Sequence, residues 1–120
     1  MIVKDGLIFA TQRSAVMALP FKWEFPGGKL EAGESPQDCL LRELREELDI
    51  TVRIVQPLKP VTHRYPTFTV TLNPFRCDQI SGEPVLHEHL AACWLPPGRL
   101  QELDWAEADW PIIASLVVLP

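Results

Sequence analysis

Glu43, Glu46 and Glu47 stand three and four residues apart, and residues at that spacing share one face of a helix. Carboxylates gathered on one face repel each other, and hard divalent cations take oxygen ligands of this kind. The chemistry they point to is a Mg²⁺ or Mn²⁺ site. Leu40, Leu41, Leu44 and Leu48 run through the same segment and offer an apolar stripe for a core. Taken alone, a run of Leu, Arg and Glu is also what a solvated amphipathic helix looks like, because all three are good helix formers. The residues ahead of it argue for more. Phe25-Pro26-Gly27-Gly28 breaks a strand, and Gly33 permits a tight turn. Ser35 is placed as an N-cap, Pro36 as the first helical residue, and Asp38 near a capping-box position.

Positioning that helix requires a sheet. Asp5-Gly6 between the apolar runs 2–3 and 7–11 signals a hairpin. Trp23 to Phe25 leads as a short strand into the glycine turn, and the helix spans about 35–48. Strands are expected at 51–55, 61–65 and 67–72, with 75–80 extending the last of them past Pro66, and again at 90–95. A short helix is expected at 97–103. The segment 105–119 contains a second long helix, with Trp110, Ile113, Ala114 and Val117 at helical spacing. Strands, helix, strands, helix make an α/β protein with a mixed sheet between helices, in one domain over 1–120.

Several function classes fall away on composition. The chain has 120 residues and a net charge of −5, with no Lys/Arg cluster, which argues against duplex nucleic acid as a partner. No apolar run reaches the length of a membrane span. No basic segment precedes an apolar stretch at the start, so a cytoplasmic location is expected, as a monomer or weak dimer. Cys39, Cys77 and Cys93 lack zinc-binding spacing and read as reduced thiols.

The stretch from Gly28 to Ile50 resembles the Nudix box, Gly-x5-Glu-x7-Arg-Glu-U-x-Glu-Glu-x-Gly-U, where U is a bulky aliphatic residue. Gly28, Glu34, Arg42, Glu43, Leu44, Glu46, Glu47 and Ile50 fall on its defining positions, and Asp49 stands where the pattern has Gly. That departure lies at the helix end, where Gly supplies a left-handed residue. Asp tolerates that conformation better than most residues, at a cost of about 1 kcal/mol relative to Gly. The resemblance implies an α/β/α sandwich, a divalent cation and water attack at phosphorus on a nucleoside diphosphate linked to a further group. It implies Glu46 and Glu47 as metal ligands, with Glu43 on the same face and a backbone carbonyl near Gly27 or Gly28. Arg42 would orient a helix glutamate, and Glu34 would brace the loop. Glu88, in His87-Glu88-His89, takes the place of a later glutamate that binds metal or activates water; the two histidines are read as peripheral.

Outside the box, Phe9-Ala10-Thr11-Gln12-Arg13, Trp23 to Lys29 and Ala106 to Pro111 look like the MutT branch. That branch converts nucleoside triphosphates to monophosphate and pyrophosphate. By this likeness Lys29 contacts a phosphate, Arg13 and Phe25 line a base pocket, and Tyr65 stacks on a base. Asp109 falls where MutT has an Asn, and it resembles the bacterial CTP pyrophosphohydrolases more closely. An ionised carboxylate only accepts, so it suits cytosine N4 or the N1–H and N2 donors of an oxidised guanine. Two alternatives stand beside this reading: an ADP-ribose or dinucleoside polyphosphate hydrolase, and a catalytically silent Nudix-like binding domain.

Overall fold

The computed structural model describes residues 1–27 and 31–117. Eight strands and two α-helices alternate along the chain. They are β1 (Ile2–Lys4), β2 (Leu7–Gln12), β3 (Trp23–Glu24), α1 (Pro36–Leu48), β4 (Thr51–Pro57), β5 (Val61–Arg64), β6 (Thr69–Leu72), β7 (Phe75–Ser81), β8 (Ala91–Leu95) and α2 (Trp110–Val117). Two 3₁₀ turns, Pro97–Glu102 and Glu107–Asp109, precede α2.

The Asp-Gly turn does what its residues favour. Asp5 and Gly6 both take positive φ, 53° and 77°, the requirement of a two-residue hairpin turn. It sets Val3 opposite Ile8. The central sheet runs β3-β2-β1-β7-β4, with β8 also paired to β2. It is mixed, because β1 and β7 are parallel while the other pairs are antiparallel.

Strand alternation divides the core. Phe9 joins Ile2, Leu44, Leu48, Ile50 and Cys77 in a cluster that includes α1. Its neighbours Ile8 and Ala10 face Leu100, Trp105 and Ile113 in a second cluster that includes α2. The sheet therefore lies between two helical layers, as expected of the α/β/α class.

Helix α1 starts as its residues predict: Ser35 Oγ accepts the Asp38 N–H at 3.1 Å, with proline in the first turn. It ends at Asp49, which adopts φ 57° and ψ 32°, the left-handed conformation that a glycine would otherwise supply.

One expectation is corrected. Residues 75–80 do not extend the preceding strand. Asn73-Pro74 ends β6, whose only ladder is to β5, and β7 crosses into the main sheet beside β1 and β4. The second helix lies within 105–119 as expected, over Trp110–Val117. Pro111 lacks the N–H that an interior position must donate, so it belongs in a first turn. Upstream of it, Trp105 is buried and donates its indole N–H to the Leu100 carbonyl at 2.7 Å. The inward residues of α2 are Ile112 and Ile113, while Trp110 and Ala114 are exposed.

Candidate active site

Arg42 organises the acidic face of α1. Its Nε donates to Glu34 Oε2 at 2.7 Å and its Nη2 to Glu34 Oε1 at 3.0 Å, the two-pronged geometry that guanidinium and carboxylate share. Its Nη1 reaches Glu43 at 2.8 Å and Glu46 at 3.1 Å. Glu34 also accepts the Glu31 N–H at 3.0 Å. The Arg42 hydrogen bond, followed by the Glu31 N–H, holds the Glu34 carboxyl down at about 2. Glu34 thus fixes the loop to the helix.

Glu47 is the opposite case. Its Oε2 is buried and has no hydrogen-bond partner. Burial first, then the neighbouring Glu43 and the charges of Glu88 and Glu24, push its carboxyl up to about 8. The Glu43 contact is a hydrogen bond while the Glu47 carboxyl keeps its proton. The fold therefore brings Glu43, Glu47, Glu88 and Glu24 into one electrostatic neighbourhood. Glu46 is more exposed and turned to Arg42.

Glu24 has no signal in the sequence, because its partners are remote. Its Oε1 pairs with Arg13 at 2.6 Å and its Oε2 with His89 Nε2 at 2.9 Å. His89, read from sequence as peripheral, has a side chain only 1% exposed. Arg13 also donates to the Ala18 carbonyl.

Beside this face opens a cavity of about 700 Å³, lined by Arg13, Glu24, Phe25, Tyr65, Phe68 and Asp109 among others. Phe25 packs on Trp105 with ring centroids 4.7 Å apart. Its N–H donates to Asp109 Oδ1 at 3.3 Å. Burial pushes the Asp109 carboxyl up to about 7, with the charge of Glu24 acting in the same direction against the Phe25 hydrogen bond. Near neutrality it is therefore divided between a neutral form that can donate and an ionised form that cannot. Tyr65 is buried; its hydroxyl accepts the Ala108 N–H at 3.0 Å and its ring stacks on Phe68 at 4.8 Å. The aromatic with open surface is Phe68, 41% exposed, a residue that sequence reasoning passed over.

An acidic helix held by one arginine, a buried carboxyl kept protonated by its neighbours and an adjoining aromatic cavity make a recognisable set. The NUDIX domain family model matches residues 1–116. The chain belongs to the NUDIX family. It is 36% identical over 116 residues to a putative 8-oxo-dGTP diphosphatase 2 of Mycobacterium tuberculosis, covering 96% of this chain and 82% of that protein. It is 32% identical over 118 residues to the CTP pyrophosphohydrolase of Escherichia coli, covering 98% and 87%. The solution structure of a MutT NUDIX protein from a methicillin-resistant Staphylococcus aureus superposes with a TM-score of 0.78 at 36% identity, covering 99% and 92%.

NUDIX hydrolases generally use a divalent metal. Among the described residues no three His, Cys, Asp or Glu side chains gather closely enough to hold an ion. The donor chemistry nevertheless fits one. The candidates are carboxylate oxygens, the buried Glu47 Oε2 lacks a partner among the described residues, and a cation would compensate the burial and like charge that raise the Glu47 pKa. Arg42 engages Glu43 and Glu46. Gly28 and Lys29, assigned from sequence to the metal and to a phosphate, lie outside the described residues. No helix among the described residues is long and apolar enough to cross a membrane.

Proposed function

We propose that this chain hydrolyses nucleoside triphosphates to monophosphate and pyrophosphate, with Mg²⁺ or Mn²⁺, and acts on a cytosine or an oxidised-guanine nucleotide in nucleotide-pool sanitation. The observation that carries the reading is Glu47. It is a buried carboxyl with an orphaned oxygen among Glu43, Glu88 and Glu24, beside a cavity with room for a nucleotide. The relatives named for 8-oxo-dGTP and CTP hydrolysis support the substrate class.

Glu43, Glu46, Glu47 and Glu88 would hold the cation, whose chemistry is charge neutralisation on the polyphosphate. Arg42 fixes Glu43 and, through Glu34, the loop ahead of α1. Glu47 and Glu88 are the groups available to take a proton from the attacking water. Arg13 and Phe25 border the base, Phe68 offers it a ring face, and Asp109 reads its edge.

The test is a panel of (d)NTPs, oxidised dNTPs and ADP-ribose with Mg²⁺, assayed for pyrophosphate. Turnover of a cytosine or oxidised-guanine triphosphate with pyrophosphate release is the expected result. Turnover of ADP-ribose alone, or of nothing, refutes the reading.

A further inference from the structure

The loop after β7 carries Glu88 between two histidines, and each histidine is tied to a different wall of the site. His87 Nε2 lies 3.0 Å from Asp49 Oδ2, at the end of α1. His89 Nε2 lies 2.9 Å from Glu24 Oε2, on β3. Backbone bonds run beside both ties. Val85 N–H donates to the Leu48 carbonyl at 2.9 Å, His87 N–H to the Glu47 carbonyl at 3.4 Å, and Leu90 N–H to the Gln12 carbonyl at 2.9 Å.

Apolar burial does little to hold this loop. Val85, Leu86 and Leu90 are all exposed. An open hollow of about 240 Å³, lined by Phe9, Leu86 and Trp94, borders it. Its placement therefore depends on the ties. Among the described residues Glu88 itself makes no side-chain hydrogen bond, although its charge is felt at Glu47.

The first tie explains the one departure from the box. A glycine at position 49 would cap α1 at least as well, because the left-handed φ of 57° costs an Asp side chain more than it costs glycine. Glycine, however, offers no acceptor to His87. The chain leading to the loop also comes close to this residue. Gly82 has φ +95°, and a Cβ there would stand 2.6 Å from the Asp49 carbonyl oxygen.

We infer that Asp49 and His87 are positioning residues that hold Glu88 over the glutamate face, with His89 on Glu24 as the second anchor. This rests on the reading of Glu88 as part of the catalytic face. The Asp49–His87 pair is half-exposed, 54% and 48%, so it adds little to global stability. Its effect is local and separable from folding.

The experiment compares Asp49→Gly, Asp49→Asn, His87→Ala and Glu88→Gln. Each is measured for kcat and KM on the best triphosphate of the panel, for Mn²⁺ affinity without nucleotide, for amide exchange at Glu88 and for Tm. Asp49→Gly should keep or raise Tm, lower kcat about tenfold at little-changed KM, weaken Mn²⁺ binding and speed exchange at Glu88. His87→Ala should match it, and the double variant should be no worse than either single one. Asp49→Asn keeps an acceptor and tolerates the left-handed backbone, and it should restore most of the rate. If Glu88→Gln is impaired while Asp49→Gly keeps wild-type kcat, Mn²⁺ affinity and exchange, the clamp is refuted and the Glu88 assignment stands. If Glu88→Gln is itself silent, the Glu88 assignment falls and takes the clamp with it.

Discussion

On the glutamate face, Glu34, Arg42, Glu43 and Glu47 come from one short stretch of chain. In the adjoining cavity Arg13, Phe25, Phe68 and Asp109 come from four separate segments. The two regions also differ in how charge is held. On the face, burial and then the neighbouring Glu43, Glu88 and Glu24 raise the Glu47 carboxyl to about 8. The cavity combines aromatic and aliphatic walls with Arg13, Glu24 and Asn73, and keeps one carboxyl near neutrality, Asp109 at about 7. A face strained by like charge is suited to gain a cation and stabilise charge developing on phosphate. A cavity with one ambivalent polar group is suited to select a base. Changes on the face should therefore act on kcat and on metal, and changes in the cavity on KM and base choice.

The hardest test of that division is Glu47→Gln. We expect kcat to fall on the order of 10³-fold, the scale of losing a group that acts directly on developing charge, with KM little changed. The fold should survive, because the neutral amide matches the protonated carboxyl in size and polarity. The pH dependence follows with its sign. The Glu47 pKa lies above its ordinary value of 4.5, so it stabilises the metal-free fold most at pH below that value. The contribution is lost as pH rises through about 8. In EDTA, Tm should fall between about pH 5 and about pH 8, Mg²⁺ should restore it with release of protons, and Glu47→Gln should flatten the slope. Asp109, raised in the same sense, leaves a smaller residue of that slope. An unchanged kcat in Glu47→Gln would abolish the distinction between face and cavity.

The same contrast governs what could be read without coordinates. The face was legible because its parts are local: a cap at Ser35, helical spacing of glutamates and the Arg42 position all lie within one segment, and helix periodicity converts sequence distance into direction. The hairpin at Asp5-Gly6 was legible for the same reason. Glu24 and His89 were not, since their significance is a contact between residues 65 positions apart. Phe68 was missed because no local signal distinguishes a ring that covers a cavity from one that covers a core. The second helix was legible only as a segment, because Trp105 and Ala108 are apolar for tertiary reasons: both are buried, before Pro111 allows a helix to begin. Asp49, read as a modest capping cost, acquires a use only once His87 is seen 3.0 Å away.

Asp109 tests the cavity side. Sequence reasoning treated it as ionised, but burial holds its carboxyl near 7. The neutral form presents a donor and an acceptor, which match the N3 and N4–H edge of cytosine. The ionised form presents two acceptors, which match the N1–H and N2–H edge of a guanine. Raising the pH from about 6 to about 8 should shift relative kcat/KM from cytosine toward guanine-type triphosphates by about tenfold, one hydrogen bond's worth of discrimination. Asp109→Asn does not titrate and offers donor and acceptor at every pH, so it should remove the shift. A pH-independent preference in the wild type would show that Asp109 does not read the base.

Phe68 gives the smallest and most selective effect. Its ring is stacked on Tyr65, and Tyr65 is pinned through its hydroxyl to the Ala108 N–H, next to Asp109. Phe68 therefore presents a platform whose position is coupled to Asp109, and a base laid on it would gain stacking without hydrogen bonds. Alanine substitution at such platforms costs about 1–3 kcal/mol per base, and an exposed ring covering one face belongs at the low end. Phe68→Ala should raise KM about fivefold for every triphosphate alike, leave kcat unchanged and leave the pH shift of base preference intact. Phe68→Tyr should restore KM. A fall in kcat of similar size would mean that the cavity wall also orients the phosphates, and that the two regions are not separable.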